Sequence, residues 1–401
     1  MAETAPLHVL IIGAGVVGLT LAQALKKNGI SFSIFERDRR ADARFQGWGI
    51  TIHWALPELE ECLPDGLCER LLEVQVDPEH GKVDKGTFLF LNMKTGEINQ
   101  TVPPSRRLRL NRESFRELLM EDIPIQWNKQ FVGFERTLDG VTAFFKDGTT
   151  ASGTILIGVE GSNSATREGL CPETFQLQPI PVRGVGLATR LTPERIAPLR
   201  AIDPLLFMGM HPDTEDFFWF SVMETPTNNP GGDNCYTVQF TVSWAFKDPS
   251  GKDDVSRGSC ARLENMKQRA SHFAEPFRSA ILAVPGDTPV IEIKLGDWPC
   301  LEWDNRGGRV TLAGDAAHAM TIYRGEAANH GIVDVVKLVA ALNSVREGTS
   351  TLKKAVDGYE TEMRKRTVPA VLLSRQACLD AHDWKRVQAG NSPLLAMRVL
   401  E

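Results

Sequence analysis

The cluster Gly13-Ala14-Gly15-Val16-Val17-Gly18 stands between a short β-branched run and a helical pattern. No other feature restricts the fold as strongly. The run His8–Ile12 is apolar and ends at glycine, which suits a buried parallel strand. Over residues 15–28 the apolar positions Val17, Leu21, Ala24 and Leu25 fall on one helical face, and Gly29 closes the segment. Ser31–Phe35 reads as a second strand with Glu36 at its carboxyl end. In such a βαβ unit Gly13 allows the tight turn, Gly15 lets the backbone approach a pyrophosphate, and Gly18 permits close helix–sheet contact. The helix start, with Val16 and Val17 in its first turn, then offers unpaired N–H groups to phosphates. Glu36 sits where an acid accepts hydrogen bonds from a ribose. The bland alternative is an ordinary glycine turn, and the strand, helix and acid together weigh against it. NAD and FAD use the same geometry, so this motif leaves the dinucleotide open.

The remaining chain bounds the possibilities. Its 401 residues allow one large unit or two closely joined domains, and 42% hydrophobic with 24% charged residues is ordinary for a globular enzyme. A net charge of −6 provides no broad basic field, so neither nucleic acid nor anionic lipid is expected as a partner. Seven scattered cysteines without a CxxC pair suggest no zinc site, no redox dithiol and no disulfide framework. A core strand begins by His8 and no run approaches the ~20 apolar residues of a membrane span, so a cytoplasmic location is expected.

A helix is expected over Arg112–Met120, an antiparallel meander over residues 126–157, and further strands over 182–246 with a break at 225–234. Residues 309–313 form one more buried strand, and a helix follows over 328–342. That strand leads into Gly314-Asp315-Ala316-Ala317-His318. An aspartate at a strand tip, followed by small residues, can accept a hydrogen bond from a ribityl chain, which points to FAD rather than NAD. The alternative is a strand–loop–helix in which Asp315 only caps. Asn329 falls near the start of the late helix, where backbone amides with Gly325 and Ala328 can face the flavin N1–C2=O edge.

With these motifs in order, the chain resembles the class A flavoprotein monooxygenases of the aromatic-hydroxylase type from His8 to about Leu342. The resemblance implies an α/β fold. It has a Rossmann-like FAD-binding domain of the p-hydroxybenzoate hydroxylase kind, an interleaved antiparallel substrate sheet, and C-terminal helices. Residues 1–181 and 301–345 then form the FAD-binding domain, with strands of the substrate domain within 80–110. Residues 182–300 form the main substrate sheet and 346–401 a helical segment. The resemblance assigns Glu36 to the adenosine ribose, Asp315 to the ribityl chain and Arg112 of Leu110-Asn111-Arg112-Glu113-Ser114-Phe115 to FAD. Gly47-Trp48-Gly49-Ile50 resembles the segment beside the isoalloxazine ring, which places Gly49 there. The stretch Val159-Glu160-Gly161-Ser162-Asn163-Ser164-Ala165-Thr166-Arg167 resembles the family's Asp-Gly motif, with Glu160 in place of aspartate. The usual prolines after Gly-Asp are replaced by Thr321 and Ile322, and a common Gln-Gly pair by Glu326-Ala327.

The implied chemistry is insertion of one oxygen atom from O2 into an aromatic or polycyclic small molecule, through a flavin C4a-hydroperoxide and with NADPH or NADH as transient co-substrate. The compact length resembles the salicylate-hydroxylase and fungal secondary-metabolism branches. Arg37, Arg39 and Arg44 are candidates to touch the nicotinamide nucleotide, with a solvated basic cluster as the plainer reading. Met208, Trp219 and Tyr236, among other aromatic and methionine residues of 207–244, are candidates for the substrate wall, although alternate residues must point elsewhere. His53, Tyr323 and Arg324 are candidates to handle the substrate proton. No metal site is expected, and the assembly is a monomer or homodimer. Two alternatives share the scaffold: Baeyer–Villiger oxygenation of a polycyclic ketone, and a flavin-fold binding module without turnover.

Overall fold

The computed structural model describes residues 7–41, 43, 48–229, 233–247 and 254–397. Arg44 and Gly47, named above, lie outside them. Five parallel strands form the first sheet, in the order Val310–Leu312, Ile155–Gly158, His8–Ile12, Ser31–Phe35 and Ile125–Gln126. The central strand is covered on both faces, so Val9, Leu10 and Ile11 are fully buried. The helix Val16–Lys27 starts at Gly15 and packs back on this sheet. The meander expected over 126–157 is shorter: three antiparallel strands end at Gly153. Ile155–Gly158 is buried at every position and crosses into the parallel sheet, as suits a run without alternation.

A seven-stranded sheet forms the second layer. Its order is Ile291–Glu292, Val182–Leu191, Tyr236–Ala245, Phe217–Glu224, Leu206–Met210, Phe88–Asn92 and Ile98–Val102. All its pairings are antiparallel except that of Leu206–Met210 with Phe88–Asn92. One face, with Phe207, Phe218, Phe220 and Phe240, packs in a single cluster with Phe273 and Phe277. Phe277 starts the helix Phe277–Leu282 and Phe273 lies between it and the helix Ser259–Ala270, both inside the region read as mainly sheet. Leu263, Met266 and Ala270 are the buried residues of Ser259–Ala270, at helical rather than strand spacing.

A two-stranded ribbon, Gly49–Ile52 with Leu108–Asn111, forms a small separate sheet, and its Ile52, Leu108 and Leu110 join the core around the parallel sheet. The helices Ala327–Arg346 and Leu352–Asp380 pack on each other, and the first also packs on Val16–Lys27. Among the described residues no helix is long and apolar enough to cross a membrane, and no group of side chains could hold a metal ion.

Gly18 is the closest point between the first helix and the glycine turn. A Cβ there would lie 2.1 Å from the Gly13 carbonyl oxygen and 2.9 Å from Val159 Cγ2. Alanine gains about 1 kcal/mol of intrinsic helix preference over glycine. The carbonyl belongs to backbone and cannot step aside, so the clash wins. Gly18→Ala is expected to lower stability by roughly 1–3 kcal/mol in urea unfolding, and an unchanged midpoint would refute that close approach.

Candidate active site

A cavity of about 720 Å³ is lined from both large sheets. At one end lie Gly13, Gly15, Val16 and Val17. No side chain caps the helix start at Gly15, no acid occupies its first turn, and nothing lies within 4 Å of a Cβ built on Gly15. These N–H groups therefore face open space, which suits a phosphate. Glu36 follows at the end of the second strand. Its Oε2 accepts from Ala14 N at 2.8 Å and its Oε1 from Asp38 N at 3.1 Å. The fixed carboxylate keeps acceptor capacity toward the cavity. Arg37, Gly49, Arg112, Glu160 and Gly161 also line this space.

Asp315 follows a turn in which Gly314 has φ +60°, and its carboxyl lines the cavity midway. Burial raises its pKa, against the pull of His318, Arg112 and Arg167. The turn is held from beneath. Gly314 N donates to Asp334 Oδ2 at 2.8 Å, His318 Nε2 lies 2.6 Å from the same oxygen, and Arg366 donates to Oδ1 at 2.7 Å. Burial works against the Asp334 charge, yet His318 and Arg366 hold its pKa down to about 2. Arg167, buried over the Trp298 ring, donates to the carbonyls of Asp315 and Ala316 at 3.2 Å each, and to those of Phe175 and Ser162. It joins the Glu160 loop to the Gly-Asp turn. Glu160 itself folds onto the start of the helix that follows, Ala165–Leu170, accepting from Thr166 N, Thr166 Oγ1 and Ser164 Oγ at 2.6–2.9 Å.

The far end faces the seven-stranded sheet. Side chains alternate along its strands, so Phe217 and Trp219 line the cavity while Phe218 and Phe220 enter the opposite core. On the neighbouring strand Gln239 and Thr241 line it too, while Val238, Phe240 and Val242 are core. Of the three substrate candidates only Trp219 reaches the cavity. Met208 is fully buried beneath it in a cluster with Phe90 and Phe217, and Tyr236 sits at the strand's far end under the Arg200 guanidinium. The aromatic stretch misled because most of its rings face the other side. The buried polar alternation of Gln239, Thr241 and Ser243 was the better signal.

The candidate proton handlers divide. His53 lines the cavity, and its backbone N–H donates to Asn329 Oδ1 at 3.0 Å. Arg324 also lines it, but its guanidinium grips Glu326 at 2.6 Å and the Pro393 carbonyl, which makes it a brace. Asn329 is fully buried away from the cavity. Its amide donates to the carbonyls of Thr51 and Gly325, so its side chain clamps the loop while Gly325 and Ala328 do the lining. Tyr323 heads a buried chain: its hydroxyl is 2.8 Å from Ser243 Oγ, which is 2.9 Å from His382 Nε2. His382 Nδ1 lies 2.8 Å from the Cys378 carbonyl, so Nδ1 must carry the proton and Nε2 is left as acceptor. Burial lowers the His382 pKa to about 4, and keeps the Tyr323 phenol protonated.

Comparison with known proteins decides the family. Residues 6–178 and 267–373 match the family model described as "FAD binding domain". The chain belongs to the class A FAD-dependent monooxygenases. Its place is on their fungal secondary-metabolism branch. It is 49% identical to FAD-dependent monooxygenase dbaB of Emericella nidulans over 84% of this chain and 87% of that protein. It is 35% identical to FAD-dependent monooxygenase cctM of Talaromyces islandicus over 96% and 95%. Among solved structures, an FAD containing monooxygenase from Photorhabdus luminescens superposes with a TM-score of 0.79 at 27% identity, covering 94% of this chain and 98% of that one. The enzyme's cofactor is FAD, and the open helix start and strand-tip aspartate fit it.

The buried histidines set an acid limit on this monooxygenase. His382 and His330 have folded pKa values near 4 and 2, below the ordinary 6.5. Between those values and 6.5 the unfolded chain binds more protons, so stability falls as pH drops. Thermal unfolding from pH 7 to 4 is expected to show that loss, and His382→Gln to reduce its slope. A slope identical in the variant would remove His382 from the account.

Proposed function

We propose that this monooxygenase uses NADPH or NADH and O2 to insert one oxygen atom into an aromatic or polycyclic small molecule. The observation that carries the reading is the continuous cavity from the uncapped helix at Gly15, past Asp315, to the wall of Trp219, Phe217, Gln239 and Thr241. When bound, the flavin supplies the reductive activation of O2 at its C4a carbon. The chain's own residues bind and orient. The free amides of the helix start, at Val16 and Val17 beside Gly15, would take the pyrophosphate, Glu36 the adenosine ribose, and Asp315 a ribityl hydroxyl. Arg112 would lie alongside, and Gly49, Gly325 and Ala328 would border the ring system. Arg37 at the rim is placed to meet the nicotinamide nucleotide in passing.

Both walls serve the substrate. Trp219 and Phe217 give an aromatic molecule flat contacts, and the two sheets exclude water where oxygen transfers. A phenol that gains oxygen must also lose a proton. Tyr323 can relay it, passing its own proton to Ser243 as it takes the substrate's, with His382 Nε2 as the transient acceptor whose orientation the Cys378 carbonyl fixes.

Purified enzyme is expected to be yellow and to oxidise NADPH faster with one member of a panel of phenols, anthrones and indoles, giving a product heavier by one oxygen atom. Substrate-independent oxidation with no oxygenated product would overturn the reading; the product's ring connectivity separates hydroxylation from Baeyer–Villiger insertion. Asp315→Ala is expected to lose bound FAD while its circular dichroism stays unchanged. Full FAD occupancy in that variant would remove Asp315 from the cofactor role.

A further inference from the structure

Arg109 is a cavity-lining cation without an anion. It projects from the strand Leu108–Asn111 and is only 4% exposed. Its Nη1 donates to Thr51 Oγ1 at 3.0 Å and its Nη2 to Ser221 Oγ at 2.9 Å, both neutral acceptors. Its Nε is buried with no hydrogen-bond partner. Trp219 lies under the guanidinium at 5.7 Å. Among the described residues no carboxylate pairs with it. The neighbouring charge is of the same sign: Arg107, which already grips Asp84 at 2.8 Å. Burial, and then Arg107, lower the Arg109 pKa to about 9.

The other buried arginines differ. Arg366 holds Asp334, Arg324 holds Glu326, and Arg167 is surrounded by carbonyl oxygens. An uncompensated buried charge is costly, and a protein keeps one where a ligand supplies the counter-charge. The chain also makes room for this one. A Cβ on Gly49 would meet Arg109 Nη2 at 2.3 Å, so glycine in the facing strand is what lets the guanidinium lie there. Two hydroxyls, one on each neighbouring strand, fix its plane.

We propose that Arg109 recognises an anionic oxygen on the aromatic substrate, held over Trp219 beside Gln239 and Thr241. The inference rests on the function proposed above and narrows its substrate class to aromatics that bind ionised. A carboxylate and an ionised phenol present the same chemistry to the guanidinium. The remaining N–H groups of Nη1 and Nη2 give either of them charge-assisted hydrogen bonds. An ionised phenol would also be the more electron-rich ring for oxygen transfer.

The test needs no turnover. Titrate the FAD-bound enzyme, followed by flavin absorbance, with two pairs of probes: 3-hydroxy-2-naphthoate against 3-hydroxy-2-naphthamide, and 4-nitro-1-naphthol against its methyl ether at neutral pH. The ionised member of at least one pair is expected to bind about tenfold tighter, and the pair concerned tells carboxylate from phenolate. Arg109→Met is expected to remove that preference while keeping FAD. Arg109→Lys, which keeps the charge but not the fork, is expected to retain part of it, and serves if the methionine variant does not fold. Equal binding of charged and neutral probes by the unaltered enzyme would overturn the proposal. So would a preference that survives Arg109→Met, or loss of FAD from a folded Arg109→Met, which would move the arginine to the cofactor. Failed oxygenation leaves this titration standing, and a failed titration leaves oxygenation of neutral aromatics open.

Discussion

One buried carboxylate fixes the geometry on which the site depends. Asp334, on the late helix, accepts from Gly314 N in the turn after the last parallel strand, meets His318 one helical turn on, and anchors Arg366 from the long C-terminal helix. Three elements far apart in sequence meet on two oxygens. Removing one partner of such a buried pair costs about 3–5 kcal/mol, because the other charge is left uncompensated. That is far more than a glycine turn alone can resist. The backbone around Asp315 is thus set by a network that never touches the cavity. Arg167 does the same from the other side, through the carbonyls of Asp315 and Ala316. The cavity can hold its aspartate in place without filling itself with supports.

The second constraint is the alternation of the large sheet. Every second residue enters the phenylalanine core, and among those between them Phe217, Trp219, Gln239 and Thr241 face the cavity. The same strands therefore provide stability and specificity on opposite faces. Phe218, Phe220 and Phe240 hold the sheet to its helices, and Trp219, Gln239 and Thr241 are left free for recognition. Ser221 and Ser243 extend that polar face in both directions, one toward Arg109 and the other toward His382. Both are buried, so their hydroxyls need partners. They find them in Arg109, Tyr323 and His382.

Much of this was legible in the amino-acid sequence, and the reason is locality. His8–Ile12, Ser31–Phe35 and Arg112–Met120 match their periodicity residue for residue, because period, glycine and cap lie within one short window. The residues that line the nucleotide end of the cavity, from Gly13 to Glu36 and Asp315, were equally visible. What escaped depends on pairings across the chain. Asp334 with Arg366 spans 32 residues and carries no motif, and Arg109 gains its meaning only opposite Thr51 and Ser221. Asn329 was placed near the right helix end, but its amide turns to Thr51 and Gly325, which periodicity alone cannot reveal. For the aromatic residues the parity along each strand, not the residue type, decides which face the cavity.

The departures from the family pattern after the Gly-Asp motif are compensated in place. Prolines stiffen a loop by fixing φ, and here Thr321 and Ile322 stand where they are usual. Instead, Thr321 Oγ1 donates to the Ser374 carbonyl at 2.7 Å, which straps the loop to the long C-terminal helix. Ser374 Oγ returns a bond to the Thr321 carbonyl at 2.9 Å. Glu326, in place of the usual glutamine, grips Arg324 at 2.6 Å, and Asn329 closes the loop through Gly325. Each of these bonds restrains the same few residues that prolines would. The loop is thus tied by side-chain bonds to the long C-terminal helix. A loop fixed this way leaves Ile322 half exposed and points Tyr323 inward, onto Ser243.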